Sequence, residues 1–185
     1  MSETEMMYKH NEYIVNMWNM TVKKEDHVYI LGDVSFGSTE ETRKLLERLR
    51  GHKHLVVGNH DKSCKGLENY FESVSQIKEF PIKKHQYDFL EENIYLVLCH
   101  FPMVAWNRRL HGAFMVHGHT HGSIDEINKQ SHELRVDIGL DSEIANFGLV
   151  SLESLYRFMK EKIKDRFDNF EQYVEHKALM DGVRY

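Results

Sequence analysis

The sequence predicts an α/β domain whose strands lie in two sheets. Two observations carry this expectation. HVYIL (27–31) and HLVV (54–57) are short, apolar, β-rich runs in alternation with segments of helical character, the pattern of a parallel sheet covered by helices. Segments 73–80, 82–89 and 94–99 then read as successive strands, which changes the character of the chain and calls for a second sheet. At 185 residues, the length fits one domain spanning 1–185 with a core of its own.

Each element follows from a local pattern. Residues 8–20 place Tyr13, Ile14, Met17, Trp18 and Thr21 near helical spacing, so an amphipathic helix with a packed Met and aromatic stripe is expected. The strand 27–31 ends at Gly32-Asp33. Ser38 or Thr39 can cap a helix running to Leu49, with Glu40 and Glu41 in its first turn and Arg48 and Arg50 near its end, matching the helix dipole. The strand 54–57 ends at Gly58-Asn59. Pro81 and the Glu91–Asn93 stretch punctuate the middle strands, and 113–117 and 132–138 are expected to add two more. Ser151 or Glu153 opens a helix of about 12 residues, in which Leu152, Leu155, Tyr156 and Met159 have helical apolar spacing, and 167–180 is expected to form a last helix.

Composition narrows the function classes. The chain is 41% hydrophobic and 29% charged, ordinary for a globular domain, and its longest strongly apolar stretch, Ile94–Cys99, suits a buried strand and not a membrane span. The first residues, MSETEMMYKH, lack a basic segment followed by an apolar one, so no secretory leader is expected. Two cysteines without framework spacing fit a reducing compartment, and the cytoplasm is the default. The net charge of −5 with dispersed basic residues argues against bulk nucleic-acid binding, because neutralising phosphates supplies most of that affinity. A small phosphorylated substrate is easier to support; nucleotides stay open, as does oligomerisation. The thirteen histidines are the first hint of metal chemistry.

Four remote segments share one local grammar: hydrophobic strand, small residue, polar ligand. They are YILGDV (29–34), LVVGNHD (55–61), YLVLCHFP (95–102) and FMVHGHTHG (114–122). In open α/β sheets, ligands gather beyond the carboxyl ends of the strands, and glycines just before Asp33, Asn59 and His119 permit tight turns. One carboxylate, one amide oxygen and neutral imidazoles suit Mn²⁺, Fe²⁺, Zn²⁺ or Ni²⁺ better than Ca²⁺. His119 and His121, two apart, point the same way in an extended segment.

The order GD, GNHD, a lone His after a hydrophobic strand, then GHxH resembles the calcineurin-like metallophosphoesterase superfamily. Here these are Gly32-Asp33, Gly58-Asn59-His60-Asp61, His100 and Gly118-His119-Thr120-His121. The small bacterial and phage members are more similar still, through Trp18-Asn19, His100-Phe101-Pro102 with Trp106-Asn107, and Ser151-Leu152-Glu153. The resemblance implies an α/β/β/α sandwich of two mixed sheets flanked by helices. It implies a metal-dependent hydrolase of phosphomonoesters or phosphodiesters, with a metal-activated water as nucleophile and divalent ions, Mn²⁺ first, as cofactors. Asp33 is then the bridging ligand of a two-metal centre; Asn59, His100 and His119 complete the second metal, and His121 binds the first. His60 resembles the family's catalytic histidine, and Asp61 is expected to orient it.

The family's opening Asp-x-His motif is not found, so the first strand is expected to be missing and the domain to be incomplete at its N-terminus. The first metal then keeps only Asp33 and His121, which predicts one ion in place of two and weak activity. A non-catalytic metal- or nucleotide-binding member, or a structural metal protein, are the alternatives. His117 is expected to be structural or to support the site from behind. Asn107, Arg108 and Arg109 are read as phosphate contacts or surface residues. His10, His27, His52, His54, His85, His132 and His176 are assigned to surface or packing, and Cys64 and Cys99 are given no redox role.

Overall fold

The computed structural model describes residues 3–131, 133–166, 175, 178 and 179. The chain divides after Gln76 into two compact units, each built on one sheet.

The first unit opens with helix α1 (Glu3–Thr21). It buries Val15 and Trp18, with Val22 just past its end, whereas Tyr13 is half exposed, so the apolar face is rotated from the one expected. Strand β1 (His27–Ile30), helix α2 (Thr39–Arg48) and strand β2 (His52–Val56) follow. Ser38 and Glu41 form a reciprocal capping box at the start of α2, satisfying two backbone donors. Strand β3 (Ser73–Ser75) completes a sheet of order β1-β2-β3 that is parallel throughout. Leu46, Leu55, Cys64, Leu67 and Phe71 form its core, with Ile30, Val34, Val57 and Tyr70 packed around them.

The pair Trp18-Asn19 has a structural task. The Trp18 indole N–H donates to the Arg50 carbonyl at 2.9 Å, and the Asn19 amide donates to the Arg48 carbonyl and accepts from the Arg50 N–H. These bonds tie α1 to the turn entering β2. That turn closes at Gly51 (φ 84°), where an added Cβ would stand 2.7 Å from a Val22 methyl and 2.8 Å from the Asp26 carbonyl.

The second unit holds strands β4 (Ile77–Ile82), β5 (Ile94–Cys99), β6 (Phe114–His117) and β7 (Arg135–Asp137), in that order. Strand β4 runs antiparallel to β5, and the other pairs are parallel, so the mixture of directions lies here. The expected strand 73–80 is therefore split at Gln76, its front half serving one sheet and its back half the other. The expected strand 82–89 does not form: Ile82 ends β4, and Lys84–Gln86 make one 3-10 turn. Lys83, Lys84, His85 and Gln86 offer no apolar face to bury, and the Gln86 side chain accepts from the Lys83 N–H at 2.6 Å. Pro81, which has no N–H, is tolerated because β4 is an edge strand.

Val97, Cys99, Trp106, Ala113 and Met115 form a core on this sheet. Helix α3 (Asp125–Gln130), which the sequence reading omitted, precedes β7. Helix α4 (Leu152–Arg166) buries Leu155, Tyr156 and Met159 of the expected stripe and adds Ile163, while Leu152 is only partly buried, and Ser151 caps it by accepting from the Ser154 N–H. The expected helix 167–180 and His176 lie outside the described residues apart from positions 175, 178 and 179, and so does His132. Among the described residues, no helix is long and apolar enough to cross a membrane.

Lys162 of α4 reaches inward to donate to the Asn128 and Arg135 carbonyls. Burial lowers its pKa to about 8, and the nearby Arg135 guanidinium acts in the same direction. The unfolded chain keeps this proton up to the ordinary lysine range, whereas the folded chain releases it near 8. Between those two values the unfolded state binds more protons, so stability rises with pH. The stability of the wild type relative to Lys162→Met, from urea unfolding, is expected to climb as pH rises from about 8 to about 10.5. A difference that stays flat over this window would show that Lys162 is not desolvated.

Candidate metal and phosphate site

In the first unit, the loops after β1 and β2 are tied together by one carboxylate. Asp61 is buried, and its oxygens accept from the N–H groups of Asp33 (3.0 Å), Val34 (2.8 Å) and Gly58 (2.6 Å). Asp33 in turn accepts from the His60 N–H at 2.9 Å. Two GNHD residues therefore exchange main-chain and carboxylate bonds with Gly32-Asp33, and the two motifs form one rigid patch. Asn59 and His60 are exposed on it, and the His60 ring meets the Phe36 ring with centroids 5.2 Å apart. Of the three glycines read as turn residues, only Gly32 takes a positive φ (84°). Gly58 instead contributes its N–H to Asp61.

In the second unit, β5 and β6 deliver the paired histidines. Buried His100 follows β5, and its carbonyl accepts from Gly118 N–H at 3.1 Å, which draws the loop after β6 alongside. His100 Nε2 lies 3.1 Å from His119 Nδ1, with ring centroids 4.9 Å apart and planes at 66°. Two neighbouring ligands at right angles around an ion with M–N of ~2.1 Å would stand ~3.0 Å apart, so the pair is spaced for one borderline cation. Phe101 stands edge-on to both imidazoles.

A second buried carboxylate, which the sequence reading missed, shapes the GHTH loop. Asp137, fully buried at the end of β7, accepts from the Thr120 hydroxyl and from the N–H groups of Gly122 (3.1 Å) and Gly139 (2.8 Å). His121 is well exposed, and its Nδ1 lies 2.8 Å from the Asp141 carboxylate. A carboxylate accepts, so Nδ1 carries the proton and Nε2 is the basic nitrogen, the tautomer of a metal-ligating imidazole. Asp141 also went unnoticed in the sequence. The available signal was VDIGLD (136–141), another apolar strand running into acidic and glycine residues.

Asp33 (φ 55°), His119 (67°) and His121 (49°) all adopt left-handed backbone, which costs ~1–3 kcal/mol each for non-glycine residues and concentrates at functional positions. Both ring nitrogens of buried His117 are engaged within the core. Its Nδ1 donates to the Gly118 carbonyl at 2.8 Å, Asn128 lies 3.3 Å from Nε2, and burial pushes its pKa down, so it is a neutral core residue. Asn107 bonds Glu79, Arg109 pairs with Glu133, and Arg108 lies over the Tyr95 ring. Trp106 is buried with its indole N–H on the Ala113 carbonyl, so this Trp-Asn pair, like the first, secures a turn.

Comparison with known proteins agrees with this layout. The profile of the calcineurin-like phosphoesterase family matches residues 7–139. The chain is 29% identical over 172 residues to the Gene 66 protein of Mycobacterium phage L5, covering 80% of each. An uncharacterized protein of Methanocaldococcus jannaschii is 28% identical over 156 residues, which is 81% of this chain and 75% of that one. Among solved structures, a protein of unknown function from Aquifex aeolicus shares the fold with a TM-score of 0.55 at 20% identity, covering 80% of this chain and 84% of that one. The family match spans both sheets and all four candidate segments, and on that basis the chain belongs to the calcineurin-like phosphoesterase family.

Proposed function

We propose that the chain is a metal-dependent hydrolase of phosphomonoester or phosphodiester bonds in which Asp33, Asn59, His100, His119 and His121 hold divalent metal. The observation that carries this reading is the His100–His119 pair, two imidazole nitrogens 3.1 Å apart at the ends of adjacent strands. The donor set of carboxylate, amide oxygen and imidazole fits Mn²⁺, with Fe²⁺, Zn²⁺ or Ni²⁺ as alternatives. Bound divalent ions would activate water and neutralise the phosphoryl oxygens of an in-line displacement.

The protein's own groups divide the remaining work. His60, exposed and held through its main chain by Asp33, is assigned to protonate the departing oxygen. Asp61, expected to orient His60, instead bonds the main chain of the loops that carry Asp33 and Asn59, so it is assigned to positioning those loops. Asp141 orients His121. A net charge of −5 without a basic stripe supports a small phosphorylated substrate, nucleotides included, over long nucleic acid, and the cysteine usage supports a cytoplasmic setting.

The second reading is a non-catalytic metal- or nucleotide-binding member of the family. Metal content separates the two, since two ions per chain with turnover rules out the second, and one ion without turnover rules out the first.

Hydrolysis of an aryl phosphodiester with Mn²⁺ is expected to fall ~10²–10⁴-fold in His60→Ala; equal rates would remove His60 from the mechanism. Asp141→Ala is expected to weaken Mn²⁺ binding ~10–100-fold in an equilibrium titration. Unchanged affinity would mean that His121 is no ligand or needs no orienting partner.

A further inference from the structure

The first sheet carries three histidines that the candidate centre does not use. Parallel register sets His27 beside His52 and Tyr29 beside His54. Residues two apart on a strand share a face, so His27, His52 and His54 project from one side of the sheet at the start of its strands. His27 Nδ1 lies 2.9 Å from His54 Nε2, and the His27 and His52 ring centroids are 4.9 Å apart.

The outer bonds of these rings are as informative as the inner ones. His52 Nδ1 lies 2.8 Å from the Glu72 carboxylate, and His54 Nδ1 lies 2.9 Å from the Ser73 hydroxyl. The acceptor-only carboxylate fixes the proton on His52 Nδ1 and leaves Nε2 as the basic nitrogen. Glu72 is itself held below the usual carboxylate range, first by its hydrogen bond to His52. Imidazoles anchored at one nitrogen to a carboxylate or hydroxyl are the form in which histidine binds metal.

We propose that His27, His52 and His54 form a second metal site, which takes a borderline divalent cation such as Zn²⁺ through three imidazoles. A His-x-His pair on one strand with a third histidine on the neighbouring strand supplies three nitrogen donors on a single face. Imidazole selects Zn²⁺, Ni²⁺ or Cu²⁺ over hard cations. In the structure His27 stacks on both His52 and His54, so binding requires the exposed His27 ring to turn, replacing the His27–His54 contact with bonds to the ion. The site is separate from the candidate centre: His27 begins β1 and Asp33 follows its end, with ~10 Å of strand between at ~3.3 Å per residue. Its effect is mechanical. The ion cross-links β1, an edge strand of the described sheet, to β2.

The test is calorimetric titration of the full chain with Zn²⁺ in a His119→Ala background, which breaks the histidine pair of the candidate centre, so that loss of binding on the further substitutions below reports the second site and not the phosphoesterase reading. One Zn²⁺ per chain is expected there, lost on adding His27→Gln and His54→Gln, with the urea midpoint rising on Zn²⁺ addition only while the histidines remain. Circular dichroism checks the fold. If the double substitution fails to fold, His52→Gln alone is expected to weaken Zn²⁺ binding at least tenfold. The absence of Zn²⁺ binding in the His119→Ala background, or binding that survives these substitutions unchanged, overturns the proposal.

Discussion

Asp61 accepts hydrogen bonds from the main-chain N–H groups of Asp33, Val34 and Gly58 while almost wholly shielded from water, and the loops after β1 and β2 hold their shape through it. Bonds from amides to a charged acceptor contribute ~1.5–3 kcal/mol each, and removing the acceptor would leave three donors to find new partners. The second unit repeats the device with Asp137, which gathers Thr120, Gly122 and Gly139. In both units the candidate ligands sit on loops, but the loops are braced from behind by a carboxylate that does not face solvent.

That bracing explains how the backbone at the site can be unfavourable. Asp33, His119 and His121 sit in left-handed conformation, which a free loop would relax. Asp61 accepts from the N–H of Asp33 itself, and Asp137 accepts from the two residues that flank His121. Asp33 and the residues on either side of His121 are thus bonded to buried carboxylates. The backbone that carries these side chains is held by hydrogen bonds to buried carboxylates, which is the arrangement a preorganised site needs.

Much of this was legible in the sequence because strand-to-loop transitions are local. HVYIL, HLVV and IYLVLC announce themselves by apolar β-rich composition, and Asp33, Asn59, His100 and His119 each fall just past such a run. The capped start of α2 and the buried stripe of α4 were equally local. What escaped was tertiary. The split of 73–80 between two sheets depends on which partner each half finds. Asp137, inside an expected strand, and Asp141 beyond it carry no mark of their role until the residues they bond are known. The buried face of α1 is set by the turn it packs on, through Trp18 and Arg50, and not by its own weak periodicity.

Each unit also encloses a single sulfhydryl, Cys64 in the first and Cys99 in the second, and both are buried. Burial raises the Cys64 thiol to about 11, so only ~1 in 10⁴ molecules carries the reactive thiolate at neutral pH even before access is considered. Alkylating reagents must wait for the surrounding structure to open. Because the two sulfurs report on different regions, the rates at which they are tagged separate the opening of one half of the polypeptide from that of the other.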